Sequence, residues 1–170
     1  ITLASGKITG YRYTAGIAAR AQGTEGEIVN CHNYAEINGT ETVTGGVVAQ
    51  HLGTPVRNCS NAGKVTGRSD VGGIVATSSP IPNKGIYDCE NSGEISARSG
   101  AGGIVGNSRS AVHNCVNKGI VSGNTSVGGI AGSVSADTLK NCSNEGRVLI
   151  KTQGGGGIAG NIGQRGVAYN

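Results

Sequence analysis

The chain has 170 residues, with 14 Lys and Arg against 10 Asp and Glu and a formal net charge of +4 at pH 7. Its 32 Gly and 5 Tyr, without any Phe, Trp or Met, exclude a core of interlocking large side chains. Only 3 Pro are present and Gly does not recur at every third position, which excludes collagen.

The charged residues are spread along the chain, without a basic run or interleaved aromatic residues. This pattern predicts a solvated surface and no nucleic-acid partner. No run of roughly 18 apolar residues occurs, so the chain is not expected to span a membrane. No charged start followed by an apolar run is present, so any export signal is expected to lie outside this sequence.

The first ten residues match the end of a repeat. Residues 6–10, Gly-Lys-Ile-Thr-Gly, correspond to residues 63–67, Gly-Lys-Val-Thr-Gly, and residues 167–170 begin another copy. Solenoids need polar caps at their ends, and neither end has one. We therefore expect a segment of a longer protein that continues on both sides.

A Gly-Gly-aliphatic block is the next element, and it recurs in six copies. Its β-branched position is predicted to point inward: Ile17, Val47, Ile74, Ile104, Ile130 and Ile158. Two residues later every copy has Ala or Gly, as expected where opposite walls approach: Ala19, Ala49, Ala76, Gly106, Gly132 and Gly160.

A Cys follows in each copy, with successive spacings of 28, 30, 26 and 27 residues: Cys31, Cys59, Cys89, Cys115 and Cys142. The favoured interpretation is a structural ladder of compact, buried thiols. Disulfides between neighbouring copies and metal binding are the alternatives. Disulfides are disfavoured because the number is odd and Cys side chains side by side on parallel strands point the same way. Metal binding is disfavoured because a single file of Cys does not offer converging tetrahedral ligands. We predict no metal and no cofactor.

Aliphatic residues stand three positions before Cys, which is the wrong parity for one straight strand: Val56, Ile86, Val112 and Leu139. This spacing predicts a bend or bulge between each of them and the Cys. An insertion from Ser78 to Lys84 is expected to bulge from the corner before this segment.

An Asn stands two residues after each Cys, and it is followed two residues later by Ala or Gly. Asn tolerates left-handed backbone and hydrogen-bonds its own turn, and stacked amides bond one another along a fibre axis. We predict a second structural ladder: Asn33, Asn61, Asn91, Asn117 and Asn144.

The third block closes each copy with an aliphatic residue that is predicted to point inward: Ile37, Val65, Ile95, Val121 and Val148. The preceding position is predicted to point outward: Glu36, Lys64, Glu94, Ile120 and Arg147. The first three of these outward residues alternate in sign, so stacked neighbours should attract.

Each copy therefore contains three short β-branched segments separated by Gly, Asn and Ser, the residues that separate strands from turns. No segment has apolar residues at helical spacing, and Gly is frequent enough to disfavour helices. The sequence predicts an all-β fold, a right-handed parallel β-helix with three strands per coil and about five coils. The coils span approximately 16–45, 46–72, 73–102, 103–128 and 129–156, with partial coils at both ends.

The Gly-Gly-Ile-Val/Ala-Gly, Asn-Cys-x-Asn-x-Gly and x-Val-x-Gly blocks resemble the GLUG-type repeats of bacterial surface proteins. Such repeats accompany IgA-specific metallopeptidases and large adhesin-like proteins. The resemblance implies non-catalytic, β-helical repeats, with any protease activity in a separate domain. The His-Glu-x-x-His zinc motif of the protease does not occur here.

One column is a candidate binding strip, because it places a Tyr among cations: Arg57, Tyr87, His113 and Lys140. The best carboxylate pair for catalysis is Asp88 and Glu90, expected about 7 Å apart on one face. No third carboxylate converges on this pair, so no catalytic residues are predicted. The histidines at positions 32, 51 and 113 are expected on the surface or in turns.

These features favour a non-catalytic structural or adhesive segment of a large secreted or wall-attached protein, a rigid stalk or binding surface. The expected partner is a host or cell-surface glycan or protein. The alternatives are a carbohydrate-active β-helix, such as a polysaccharide lyase or hydrolase, and an accessory module that positions a protease domain.

Overall fold

The computed structural model describes residues 1–23 and 25–170, and all regular elements in these ranges are β-strands. In chain order they are β1 (Thr2–Leu3), β2 (Lys7–Gly10), β3 (Thr14–Ala15), β4 (Ala18–Gln22), β5 (Ile28–Val29), β6 (His32–Asn33), β7 (Glu36–Gly39), β8 (Thr42–Gly45), β9 (Val48–Leu52), β10 (Val56–Arg57), β11 (Ser60–Asn61), β12 (Val65–Gly72), β13 (Val75–Ser78), β14 (Ile86–Tyr87), β15 (Glu90–Asn91), β16 (Ile95–Gly102), β17 (Val105–Ser108), β18 (Val112–His113), β19 (Val116–Asn117), β20 (Val121–Gly128), β21 (Ala131–Lys140), β22 (Ser143–Asn144), β23 (Val148–Gly156) and β24 (Ala159–Tyr169).

The strands form three parallel sheets that the chain visits in turn. The first sheet has six strands in the order β1-β6-β11-β15-β19-β22. The second has eight, with β2-β7-β12-β16-β20-β23 as its main path and β3 and β8 beside it. The third has ten, with β4-β9-β13-β17-β21 and β5-β10-β14-β18 joined through β21, which also pairs with β24. The all-β, three-sheet parallel β-helix predicted from the repeats is confirmed.

Each strand pairs with its equivalent one repeat away, so the predicted columns exist. Val65 lies beside Ile95, and Ile95 beside Val121. The backbone N–H of Ile74 donates to the carbonyl of Ile104 at 3.0 Å. The register inferred from sequence alignment of the copies is therefore confirmed.

Two aliphatic columns fill the core. The column of the Gly-Gly block is fully buried in its central members, which are Val47, Ile74, Ile104 and Ile130. The second predicted inward column is also buried in its central members, which are Ile37, Val65, Ile95 and Val121. Burying such a side chain contributes roughly 1.5–3 kcal/mol, so repeated files of β-branched residues replace the large aromatic residues that the chain lacks.

The small residues two positions after the first column lie where opposite walls meet, as predicted. A Cβ added to Gly106 would lie 2.7 Å from the backbone of Asp70 and Val71 on the second sheet. Gly132 faces the backbone of Gly100 and Ala101 in the same way. Larger side chains at these positions would force the two sheets apart.

A bend precedes every Cys, and it explains how the Cys and the aliphatic residue three positions before it can both point inward. The residue directly before each Cys has left-handed backbone, with φ between 49° and 56°: Asn30, Asn58, Asp88, Asn114 and Asn141. Asn and Asp adopt this conformation more readily than other non-Gly residues. The chain turns there from the third sheet into the first, so the aliphatic residue and the Cys both face the core.

The insertion leaves the third sheet at the predicted corner, but it starts one residue later than expected. Ser78 is the last residue of β13 and is buried, and the loop runs from 79 to 85. Within it the N–H of Ile81 donates to Ser79 O at 2.9 Å, and that of Lys84 to Ile81 O at 3.2 Å.

The charged column of the third block faces solvent and pairs along the axis. Lys7 Nζ lies 2.9 Å from Glu36 Oε1, and Lys64 Nζ lies 3.1 Å from Glu94 Oε1. All four side chains are at least 41% exposed, so each pair is worth at most about 1 kcal/mol. Their main effect is to keep this face solvated.

Candidate binding surface

The strip predicted from the sequence consists of Arg57, Tyr87, His113 and Lys140. These residues lie side by side on consecutive strands of the third sheet: β10, β14, β18 and β21. In spatial order the complete file is Val29, Arg57, Tyr87, His113, Lys140 and Tyr169.

Cation–aromatic contacts connect the members of this file. Arg57 Cζ lies 4.1 Å from the ring centroid of Tyr87. The rings of Tyr87 and His113 meet edge to face, with centroids 5.6 Å apart and planes at 73°. Lys140 Nζ lies 5.5 Å from the ring centroid of Tyr169, a residue that sequence reasoning left out of the strip. The sequence did indicate that Tyr169 belongs to this file, because residues 167–170 repeat the start of the same block.

The strip combines positive charge with hydrogen-bond donors. Burial raises the pKa of Tyr87, partly opposed by the Arg57 guanidinium, so the phenol stays protonated at neutral pH and can donate. His113 Nε2 is 2.9 Å from Thr138 Oγ1. Glu27 Oε1 lies 3.9 Å from Arg57 Nε, which offsets a part of the positive charge at one end.

Amide groups form a second file beside the strip, at the bend before each Cys. Asn114 Nδ2 donates to Asp88 Oδ1 at 3.0 Å, and Asn141 Nδ2 donates to Asn114 Oδ1 at 3.3 Å. The three side chains are exposed and made accessible by the left-handed corner. Sequence reasoning did not include them in the candidate surface, although an Asn or Asp directly before every Cys was the signal.

The five cysteines lie in one file and are free thiols, four of them buried. Each Sγ donates to the carbonyl two residues earlier, at 3.1 Å for Cys59 and Cys89 and 3.3 Å for Cys115. Hydrogen bonding with the neighbouring Cys89 thiol, together with burial, raises the pKa of Cys59. The five thiols fill the corner between the first and third sheets.

The five Asn side chains form a continuous hydrogen-bonded ladder. Asn61 Nδ2 donates to Asn91 Oδ1 at 2.8 Å, and Asn91 Nδ2 donates to Asn117 Oδ1 at 2.7 Å. The same nitrogen of Asn91 also donates to the carbonyl of Gly93 at 2.9 Å, closing its own turn. The ladder continues from Asn33 at one end to Asn144 at the other. Its central members are buried, so the amides contact one another and not a ligand.

The carboxylates of Asp88 and Glu90 do not lie on one face of a straight strand, in contrast to what the sequence predicted. Asp88 occupies the left-handed corner and accepts from Asn114, so Asp88 and Glu90 do not share one straight strand. Glu90 Oε2 is paired with Lys118 Nζ at 2.8 Å. Within residues 1–23 and 25–170, no three His, Cys, Asp or Glu side chains converge as metal ligands would.

His51 contradicts the expectation of a surface or turn position. It is completely buried in the third sheet between Ala21 and Ser78 of the neighbouring strands, and neither ring nitrogen has a hydrogen-bond partner among the described residues. Burial lowers the pKa of His51 from 6.5 to about 4. The nearby backbone of His51 and Thr54 acts in the opposite direction but reverses this shift only in part.

We expect acidification to destabilise the protein through His51. The folded pKa lies below the unfolded one, so the unfolded state binds more protons as the pH falls from 6.5 to 4, and stability falls by about 3 kcal/mol. Urea unfolding at pH 7 and pH 4 would measure this, with His51→Leu as comparison. An equally large loss in the variant would assign the effect to other groups.

Comparison with known proteins agrees with these features. Residues 123–149 match the family model of the GLUG motif. Among solved structures, the chain is similar to a candidate immunoglobulin A1 protease from Bacteroides ovatus, with a TM-score of 0.67 and 21% identity. The match covers 94% of this chain and 56% of that one, so this chain spans little more than half of that protein's chain. No curated protein matches.

The resemblance to GLUG-type repeats is thus confirmed by the match at residues 123–149. At 21% identity, the structural likeness shows the fold alone. None of the described residues form a helix that is long and apolar enough to cross a membrane.

Proposed function

We propose that the chain is a non-catalytic repeat segment of a large secreted or cell-surface bacterial protein. It acts as a rigid scaffold whose strip binds a glycan of a host or of a cell surface. The observation that carries this proposal is the uninterrupted file of cationic and aromatic side chains on the third sheet. The scaffold is rigid because each coil is hydrogen-bonded to both neighbours through backbone and Asn side chains.

The chemistry of the strip favours an acceptor-rich ligand with carboxylate groups. Guanidinium, phenol, imidazole and ammonium groups succeed one another at the strand spacing of about 4.8 Å. Arg57 covers the ring of Tyr87, so the ligand meets N–H and O–H groups together with the amides at the neighbouring corner. Glycans with uronic or sialic acid residues have the hydroxyl and carboxylate acceptors that such a surface requires.

Replacing Tyr87 with Ala is expected to weaken glycan binding about tenfold or more, because the ring orders Arg57 and supplies a donor. The measurement is binding of the 170-residue chain to an array of acidic and neutral glycans. Tyr34→Ala is the matched control, because Tyr34 is a 55% exposed Tyr outside the strip. Equal binding by both variants, or no binding by the unaltered chain, would contradict the proposal.

The same polysaccharides test the carbohydrate-active alternative. If the chain released oligosaccharides, and if Glu90→Ala abolished that release while the fold remained intact, a catalytic function would replace the proposed one. Glu90 is half exposed in a surface ion pair, so its removal should leave the fold unchanged.

The likeness to the candidate immunoglobulin A1 protease favours one further role, that of an accessory module which positions a protease domain. The complete gene would test this role, because a protease domain beside these coils would support it. Binding through the strip would be compatible with it, since the module could also bring the protease to its target.

A further inference from the structure

A groove on the outside of the second sheet is separate from the strip. It encloses about 400 Å³ and is open to solvent. Three consecutive strands each supply two neighbouring residues to it: Arg68 and Ser69 from β12, Arg98 and Ser99 from β16, and Asn124 and Thr125 from β20. Thr152 of β23 extends the lining into a fourth coil.

Two guanidinium groups in this groove come from adjacent strands. The register places Gly67 beside Ala97 and Ser69 beside Ser99, so the backbones of Arg68 and Arg98 lie side by side, about 4.8 Å apart along the axis. Like charges at such positions destabilise a sheet. An anion bound at Arg98 would reduce this repulsion.

Only one of these two arginines has an acidic partner in the described part of the chain. Arg68 Nη1 lies 3.0 Å and 3.3 Å from the two carboxylate oxygens of Glu41. Arg98 makes no ion pair with any described residue and is exposed. Asp70, close by in sequence, does not line the groove; its Oδ1 lies against Gly100, where an added Cβ would be 3.1 Å away.

Hydroxyl groups complete the groove beside the arginines. Thr125 Oγ1 donates to Ser99 Oγ at 3.0 Å, so the hydroxyl hydrogen of Ser99 remains available for another acceptor. Guanidinium groups are suited to bidentate binding of oxyanions, and hydroxyl donors add further bonds. The lining thus has unused donors and net positive charge.

We infer that this groove binds sulfate or carboxylate groups carried by a linear acidic polysaccharide that lies along the solenoid axis. The guanidinium group of Arg98 is the principal group that binds the sulfate or carboxylate, and the hydroxyl group of Ser99 is an additional donor. The strands that line the groove succeed one another about every 4.8 Å, which is comparable to the length of one sugar ring, so successive sugar residues of the polysaccharide lie over successive coils. The site lies on the second sheet and is independent of the strip on the third.

The test is titration of the 170-residue chain with dextran sulfate, carboxymethyl dextran and unmodified dextran at low and at physiological ionic strength. Arg98→Gln is expected to weaken binding of the charged dextran about tenfold, the loss of one charge-assisted hydrogen-bonded contact. Arg109→Gln is the matched control, since it removes the same charge from an exposed position outside the groove. It is expected to bind as the unaltered chain does.

Tyr87→Ala separates this inference from the proposed function. Retained binding in Tyr87→Ala together with loss in Arg98→Gln supports the groove, and preference for one charged dextran then identifies its oxyanion. Equal loss in Arg98→Gln and Arg109→Gln would reduce the effect to overall charge and overturn the inference. Loss in Tyr87→Ala alone would place the polysaccharide on the strip, and the absence of any preference for charged over neutral dextran would also overturn the groove site.

Discussion

Replacing Gly103 with Ala is expected to lower the free energy of unfolding by about 3 kcal/mol, the upper end of the usual cost of overpacking and a large effect for one methyl group. The space that an added Cβ would need is occupied by the carbonyl oxygen of Gly129 in the next coil and by the amide of Asn117. Backbone cannot move aside as a flexible side chain does. The methyl group would therefore separate two coils and displace one amide from the Asn ladder.

Gly157→Ala is the matched control, because Gly157 holds the same position in the last Gly-Gly pair and has no atom within 4 Å of an added Cβ. Urea unfolding followed by circular dichroism would compare the two variants with the unaltered chain. Gly157→Ala should leave the midpoint nearly unchanged. Similar midpoints for both variants would mean that coil-to-coil contact at this column is not required.

Replacing Ile104 with Ala is expected to cost about 2–5 kcal/mol in the same measurement. Ile104 is completely buried in the larger aliphatic cluster, between Ile74 and Ile130 of the neighbouring coils. The cost has two parts, the lost burial of the side chain and the cavity that remains. The cavity cannot be filled by collapse, because the backbone ladders on both sides hold the coil spacing.

Two variants show whether this loss depends on burial. Ile120→Ala makes the same substitution at a position that is 39% exposed in the outward column. Glu90→Ala removes only a surface ion pair. Both should change stability by no more than about 1 kcal/mol. A loss for Ile120→Ala as large as that for Ile104→Ala would contradict the assignment of inward and outward columns.

The destabilisation caused by Gly103→Ala or by Ile104→Ala should spread along the solenoid, because each coil contacts only its neighbours. A disrupted central coil divides the remaining structure into two shorter stacks. The strip and the groove both extend over several coils, so either substitution should also weaken binding at both surfaces.

The repeats were sufficient to predict the columns, since side-chain alternation and stacking have simple periods. Ile74 and Ile104 were assigned to one inward file, and Lys64 and Glu94 to one outward file, from spacing alone. The acid pair was different. Asp88 and Glu90 looked like neighbours on one face, but a left-handed corner at Asp88 intervenes, and alternation along a strand cannot reveal such a corner.

The candidate surfaces were predictable in part for the same reason. The strip follows one column and was found by aligning copies, whereas the corner amides beside it depend on the direction of a bend. The groove joins two adjacent columns whose side chains differ from coil to coil, so no repeated residue marks it. His51 was misplaced because it occupies no repeated His position, and its environment depends on Ala21 and Ser78 in other coils.

Periodicity along the chain was enough to establish the architecture, the register and the separation of aliphatic from charged files, because each follows from a short repeat with a fixed stacking distance. The folded coils were needed to show that the second glycine of the inner Gly-Gly pairs lies against an Asn amide, that His51 is buried without a partner among the described residues, and that Arg98 lies beside Arg68 without an acidic partner among them. These features arise between residues about one repeat or more apart, where corner geometry and close backbone contacts control the environment of each side chain.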